Sequence, residues 1–186
     1  MKRTGNTRMA QLAPSEIRAM TQACAAAKGL NMAQGVCDTP VPPIVIQAAQ
    51  EAMDRGHNIY SRFDGIAELR HAIADKLASY NHITADPETN ITVSAGATGS
   101  FQATCMALLN PGDEVIVFEP YYENFGPDSY LCGATRKIVP LHAPDWSFDP
   151  EELRRAFSKK TKAIIINSPG NPTGQVFSRE QMAYIG

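Results

Sequence analysis

Two textures of apolar and polar positions divide the chain: apolar residues recur at helical spacing up to about residue 80, and beyond that short unbroken apolar runs alternate with helical patterns. The Ala-rich, unbroken segment Pro14–Lys28 predicts a helix, with Ser15 to cap its start and Gly29 to end it. Pro40, Pro42 and Pro43 then make "NMAQGVCDTPVPP" an extended stretch, because proline lacks a backbone donor and clashes inside a helix. In a helix's first turn that missing donor does no harm, so Pro43 opens the next helix, Ile44–Arg55, with Ile44, Ala48, Ala49 and Met53 on one face. A third helix is predicted from about Ile66 to Tyr80, with Leu69, Ile73, Ala74 and Leu77 on its buried side.

From Ile91 the order becomes strand, helix, strand, helix. Ile91-Thr92-Val93 leads through Gly96-Ala97-Thr98-Gly99-Ser100 into a helix that ends near Leu109, before the turn signal Asn110-Pro111-Gly112-Asp113. Strands are predicted at Glu114–Phe118, Thr135–Val139 and Ala163–Asn167, and a helix at Tyr122–Leu131. Another helix starts at Asp149-Pro150-Glu151-Glu152, which combines a cap, a first-turn proline and an N3 glutamate. Ser178-Arg179-Glu180-Gln181 is a further capping box, and the helix it opens is left at Gly186, so the chain is expected to be cut short. Short continuous apolar strands between helices imply an α/β fold, a mainly parallel sheet with helices on both faces. Ligands in such sheets sit at the carboxyl ends of the strands, where the loops 94–100 and 167–174 fall.

Composition narrows the class. A length of 186 residues suits one core of ordinary size, and 44% hydrophobic with 19% charged residues is the balance of a globular protein. A formal net charge of -2 favours neither nucleic acid nor an anionic membrane, which leaves small-molecule chemistry. Cys24, Cys37, Cys105 and Cys132 are scattered, without metal-ligand or disulfide-framework spacing, so reduced thiols and a cytoplasmic location are expected. Lys2, Arg3 and Arg8 form a polar N-terminal arm with no apolar signal region behind them.

Three stretches carry candidate chemistry. In Gly96-Ala97-Thr98-Gly99-Ser100, small residues let backbone amides approach an anion, the helix end adds its positive dipole, and Thr98 and Ser100 can donate hydroxyls. An ordinary tight strand-to-helix turn reads equally well, and both the G-x-G-x-x-G spacing and the Gly-Lys of a P-loop are missing. Glu119-Pro120-Tyr121-Tyr122 follows the next strand; its rings suit stacking on a flat heterocycle or, more commonly, covering a core edge. In Ser168-Pro169-Gly170-Asn171-Pro172-Thr173-Gly174 the prolines hold Asn171 with little freedom, and such a preorganised amide suits a phenolate or carbonyl oxygen.

Together these stretches resemble the fold-type I pyridoxal-phosphate aminotransferases of class I/II, from about Gly35 to the end of the chain, with S-P-x-N-P-T-G the most specific part. The resemblance implies an incomplete PLP-dependent transferase fold. Residues 1–42 would be an N-terminal helical arm and part of a small domain, and 43–186 the N-terminal part of the large cofactor-binding domain. It further implies pyridoxal 5'-phosphate as cofactor, with Ala97 and Thr98 on its phosphate, Tyr122 stacked on its pyridine ring and Asn171 on its 3'-oxygen. Gly35 in "AQGVCDTPVP" matches a glycine whose backbone meets the substrate carboxylate, and Asn171 also borders the substrate. Tyr60, ahead of "FDGIAELRHAIA", matches a tyrosine that reaches the phosphate of a neighbouring subunit, which implies a homodimer. The implied reaction moves an amino group between an amino acid and a 2-oxo acid.

The pattern also breaks. The family's ring-nitrogen aspartate, Schiff-base lysine and carboxylate-clamping arginine follow the asparagine motif, yet Pro172–Gly186 holds no aspartate and no lysine, and Arg179 comes too early for the clamp. Lys137, Lys159, Lys160 and Lys162 precede the motif and read as solvated ends of elements, so no catalytic residue is assigned. Val36-Cys37-Asp38-Thr39 stands where the family often has x-Pro-Asp-Phe, which loosens any specificity argument; Cys37 reads as a passive small residue more readily than as a reactive thiol. C-S lyases and aminocyclopropane-carboxylate synthases share these loops, and a non-catalytic cofactor- or partner-binding fragment is the reading from another class. A Rossmann-type nucleotide binder ranks low, because it needs the missing glycine pattern and an acidic residue placed for ribose.

Overall fold

Val115, Ile116, Val117 and Phe118 are each 5% exposed or less, and the sheet is built around them. They belong to β1 (Glu114–Glu119), which lies between β2 (Thr135–His142) and β4 (Thr161–Ile165), both parallel to it. The two-residue β3 (Ser147–Phe148) pairs antiparallel with β2, so the order is β3-β2-β1-β4. This computed structural model describes residues 5–13, 15–35 and 37–186; Lys2 and Arg3 of the polar arm, Pro14 at the expected start of the first helix, and Val36 lie outside them. The chain divides into two compact units, residues 1–15 with 96–186, and residues 16–95.

In the sheet unit, side chains alternate across the pleat. Val115 and Val117 pack with Cys105 of α4 (Gly96–Leu108), with Leu109 and with Phe125 of α5 (Phe125–Leu131). Ile116 and Phe118 pack with Leu153 of α6 (Pro150–Ala156), with Phe177 and with Ile185 of α7 (Arg179–Ile185). Helices therefore cover both faces of a mainly parallel sheet, as the alternating runs predict. Asp149 caps α6 by accepting from Glu151 N–H at 2.8 Å, and Ser178 with Gln181 forms the full capping box of α7. A 3-10 turn, Thr7–Gln11, is tied to α5 by Arg8 donating to Leu131 O at 3.0 Å and Tyr130 donating to Gln11 Oε1 at 2.6 Å.

Several boundaries differ from expectation. Ile91–Val93 forms no strand: Val93 N–H donates to Asp64 O, but no neighbouring strand pairs with the segment. Residues 96–100 are the first turn of α4 itself rather than a loop before it. α5 begins at Phe125 because Tyr122–Phe125 forms a separate turn, in which Phe125 N–H donates to Tyr122 O. Glu152 does not complete a capping box, since its carboxylate lies 2.8 Å from His142 Nε2.

The other unit holds α1 (Glu16–Ala26), α2 (Pro43–Asp54) and α3 (Ala67–Lys76), which runs on into a π-helical turn, Leu77–Asn81. α1 ends with Lys28, not Gly29, in the left-handed region (φ 52). The face of α3 expected to be buried is not uniformly so: Leu69 is 43% exposed, whereas Arg70, on the polar side of the pattern, is fully buried. Arg70 bonds Gly65 O, Pro87 O and the Glu88 carboxylate and lies 3.8 Å from Asp64, which Arg62 clamps through two bonds. Gly65 is required there, because its φ is +101 and a Cβ would stand 2.6 Å from Val93 Cγ2.

Candidate functional site

At the carboxyl end of β4 the turn 167–177 closes on itself. Gly170 N–H donates to Gln175 O at 2.8 Å and Gly174 N–H to Gly170 O at 2.6 Å, with Gly174 at φ +72. Asn167 Oδ1 accepts from Asn171 N–H at 2.9 Å, and Ser168 Oγ accepts from Phe177 N–H at 3.1 Å. Phe177 then packs its ring 5.2 Å from Phe118 and 6.0 Å from Phe148, so the turn is rooted in the core beneath the sheet's end. Asn171 is exposed, and its side-chain amide has no hydrogen-bond partner among the described residues. The rigidity read from the two prolines is thus reinforced by backbone bonds, and it leaves one amide available to a ligand.

Ala97 and Thr98 occupy the first turn of α4, which holds no acidic residue. Amides in a first turn have no acceptor within the helix and sit at the positive end of its dipole, so they favour an anion. Ser100 is diverted, since its hydroxyl donates to Gly96 O at 3.3 Å. Thr98 Oγ1 accepts from Asn124 Nδ2 at 3.0 Å, and the same nitrogen lies 3.5 Å from the Tyr122 hydroxyl. The Tyr122 ring meets Phe125 edge-on, 5.6 Å between centroids. Phe125 in turn lines a small cleft with Tyr121, Asn167, Gly170 and Asn171. Ala97, Thr98, Tyr122 and Asn171 are therefore gathered at one end of the sheet.

Residues 27–185 match the family described as aminotransferase class I and II. The chain belongs to that family. The probable N-succinyldiaminopimelate aminotransferase DapC of Mycobacterium tuberculosis is 42% identical over 159 residues, 84% of this chain and 40% of its own. The probable kynurenine--oxoglutarate transaminase BNA3 of Saccharomyces cerevisiae is 37% identical over 169 residues, again 84% of this chain and 38% of its own. Among solved structures, N-succinyldiaminopimelate aminotransferase from Mycobacterium tuberculosis matches with a TM-score of 0.91 and 38% identity, over 98% of this chain and 48% of that one. YbdL from Escherichia coli, described as having a methionine aminotransferase function, matches with a TM-score of 0.92 and 30% identity, over the same shares. The chain spans less than half the length of these relatives.

Pyridoxal 5'-phosphate is the cofactor of this family, and the residues present fit it. First-turn amides and a hydroxyl suit a phosphate, an aromatic ring suits a flat heterocycle, and a held amide without a partner suits a ring oxygen. The other residues of this aminotransferase-family chain singled out in the sequence, Gly35 and Tyr60, belong to the second unit. Both are exposed, and Tyr60 wholly so. Close by, the Cys37 thiol is held below its usual range by the Thr39 hydroxyl at 2.8 Å. Among the described residues no lysine lines the cleft, and Lys137 pairs with Glu114 at 3.3 Å, at the opposite end of β1. Two site residues escaped sequence reasoning. Asn167, four positions before Asn171 at a strand's end, carries a readable turn signal, whereas Asn124 is a polar residue in a turn with no distinguishing pattern.

Proposed function

We propose that this chain supplies the phosphate-, ring- and 3'-oxygen-binding groups of an enzyme that transfers an amino group between an amino acid and a 2-oxo acid. The observation that carries the reading is the Asn171 turn: a backbone fixed by the surrounding turn presents a side-chain amide that has no hydrogen-bond partner among the described residues, at the end of a buried sheet. When bound, pyridoxal 5'-phosphate supplies a ring that accepts the electrons of the substrate's broken α bond. The amides of Ala97 and Thr98 and the Thr98 hydroxyl hold the phosphate, Tyr122 covers the pyridine ring, and Asn171 donates to the 3'-oxygen and borders the substrate. Gly35 offers its backbone to the substrate carboxylate. Tyr60, wholly exposed, reaches the phosphate of a second copy, so the working form is a homodimer.

In the same reading, residues 1–42 are the arm and part of a small domain and 43–186 part of the large domain. The free cysteines suit a reducing cytoplasm, and among the described residues no helix is long and apolar enough to cross a membrane. Relatives are named for succinyldiaminopimelate, kynurenine and aspartate, so the proposal stops at the class of substrate.

Titration with pyridoxal 5'-phosphate tests the reading. Asn171→Ala is expected to weaken binding by about tenfold, the loss of one hydrogen bond to a charged oxygen. Binding of a nucleotide in its place, unaffected by Asn171→Ala, would overturn it. The chain alone is expected to show no turnover, because no lysine follows Asn171. Turnover together with a borohydride-stable adduct on one stoichiometric lysine would refute that expectation.

A further inference from the structure

We infer that Asn124 is a positioning residue that makes the site select a phosphate ester, by holding the Thr98 hydroxyl as a donor. The inference rests on the cofactor reading above and goes beyond it, since it concerns discrimination between pyridoxal 5'-phosphate and its unphosphorylated form. A threonine hydroxyl has one proton and can accept as well as donate, whereas an amide nitrogen can only donate. With Asn124 Nδ2 at 3.0 Å, Thr98 Oγ1 is the acceptor, and its own proton is left for a third group. That proton sits in the first turn of α4, among amides that lack helical acceptors and without an acidic side chain in the turn. An anion is the group that completes this arrangement. Asn124 Nδ2 also lies 3.5 Å from the Tyr122 hydroxyl, a separation too long to position that ring, so its bond to Thr98 is the one that matters.

The isosteric change Asn124→Asp reverses this logic. A carboxylate only accepts, so it takes the Thr98 proton and adds a negative charge beside the phosphate. Shape is conserved while hydrogen-bond direction is inverted, which a merely structural role for Asn124 would tolerate.

The experiment measures dissociation constants for pyridoxal 5'-phosphate and for pyridoxal by calorimetry. It uses the full 186-residue chain and its Asn124→Ala, Asn124→Asp, Thr98→Val and double Thr98→Val/Asn124→Ala variants, each checked for unchanged thermal midpoint. Expected is a fall of about tenfold in the preference for the phosphate ester in Asn124→Ala, and a larger fall in Asn124→Asp, with pyridoxal affinity unchanged in both. In the Thr98→Val background, Asn124→Ala should add nothing, because the effect passes through that hydroxyl. Equal loss of both ligands, wild-type behaviour of Asn124→Asp, or additive effects in the double variant would overturn the inference. If Asn171→Ala weakens the cofactor while every Asn124 variant keeps the wild-type preference, the inference falls and the cofactor reading stands. If the wild-type chain binds neither ligand, both fall.

Discussion

Residues 96–186 and residues 16–95 are held together by opposite means. In the first, β1 buries an aliphatic and aromatic run against helices on both faces, and the largest fully buried side chains include Ile116, Leu153 and Val117. In the second, the buried positions include Asp64 and Arg70, while Ile44, Tyr60 and Phe63 are 76%, 104% and 94% exposed. Apolar burial is non-directional and tolerates small shifts, so it can root turns such as 167–177 from below. A buried guanidinium is directional and fixes local geometry through particular oxygens. It does so at the risk of leaving carboxylates unpaired when it is removed. The comparison predicts that the sheet unit answers to side-chain volume and the helical unit to charge.

The largest effect is expected at Phe177, whose ring closes the aromatic cluster with Phe118 and Phe148. Phe177→Ala should cost about 3–5 kcal/mol, read as a shift in denaturant midpoint. A cost below about 1 kcal/mol would mean that the cluster is not the sheet unit's anchor. Next comes Arg70→Met, which keeps apolar bulk and removes the charge, at an expected cost of about 3 kcal/mol. Hydrogen exchange should show amides of 62–93 losing protection while those of 114–118 keep theirs. Uniform loss across both ranges would erase the distinction between the two units. Arg70→Lys should recover only part of the stability, because an ammonium cannot span Gly65 O, Pro87 O and Glu88 at once.

Legibility in the sequence follows the same divide. The apolar runs of β1 and β4 and the caps at Asp149 and Ser178 were readable, because strand burial and capping depend on neighbours close in sequence. The sheet's α/β class followed from them. Arg70 was not readable: periodicity counts apolar residues, and its burial depends on carbonyls and carboxylates brought in by Gly65, Pro87 and Glu88. Ile91–Val93 has strand composition but no strand beside it, so composition alone misled. In the candidate site, Thr98, Tyr122 and Asn171 stood out through motifs, whereas Asn124 acquires its meaning only once α4 and the turn before α5 are in place.

Acid titration should act with opposite sign on one carboxyl from each unit, Asp64 and Asp128. The Arg62 guanidinium holds the Asp64 carboxyl below its usual range, so the stability it contributes is present above that range and lost as pH falls through the lowered value. Burial pushes the Asp128 carboxyl of α5 up, and one of its oxygens is buried without a hydrogen-bond partner among the described residues. A raised carboxyl favours the folded state while protonated, so its contribution is present below the usual range and lost as pH rises through the raised value. Asp128→Asn should therefore stabilise the chain at neutral pH, with a gain that shrinks toward acid as wild-type Asp128 takes up its proton. A gain independent of pH would show that titration of Asp128 is not its source.

The smallest effect is expected from Ile44→Ala, set against the same substitution at Ile116. Ile116→Ala removes a fully buried side chain of β1 and should cost about 2–5 kcal/mol. Ile44→Ala removes the same atoms from α2, where the side chain is 76% exposed and the area withdrawn from water is small. Alanine is also the better helix former, because a β-branched side chain loses rotamer freedom against the preceding turn. The two terms oppose each other, so Ile44→Ala should leave stability within about 0.5 kcal/mol of wild type. If it costs as much as Ile116→Ala in dilute monomer, α2 is held by apolar burial after all, and the contrast between a volume-governed and a charge-governed unit collapses. If the cost appears only as concentration rises, Ile44 is covered by a second copy, and the contrast holds within a single chain.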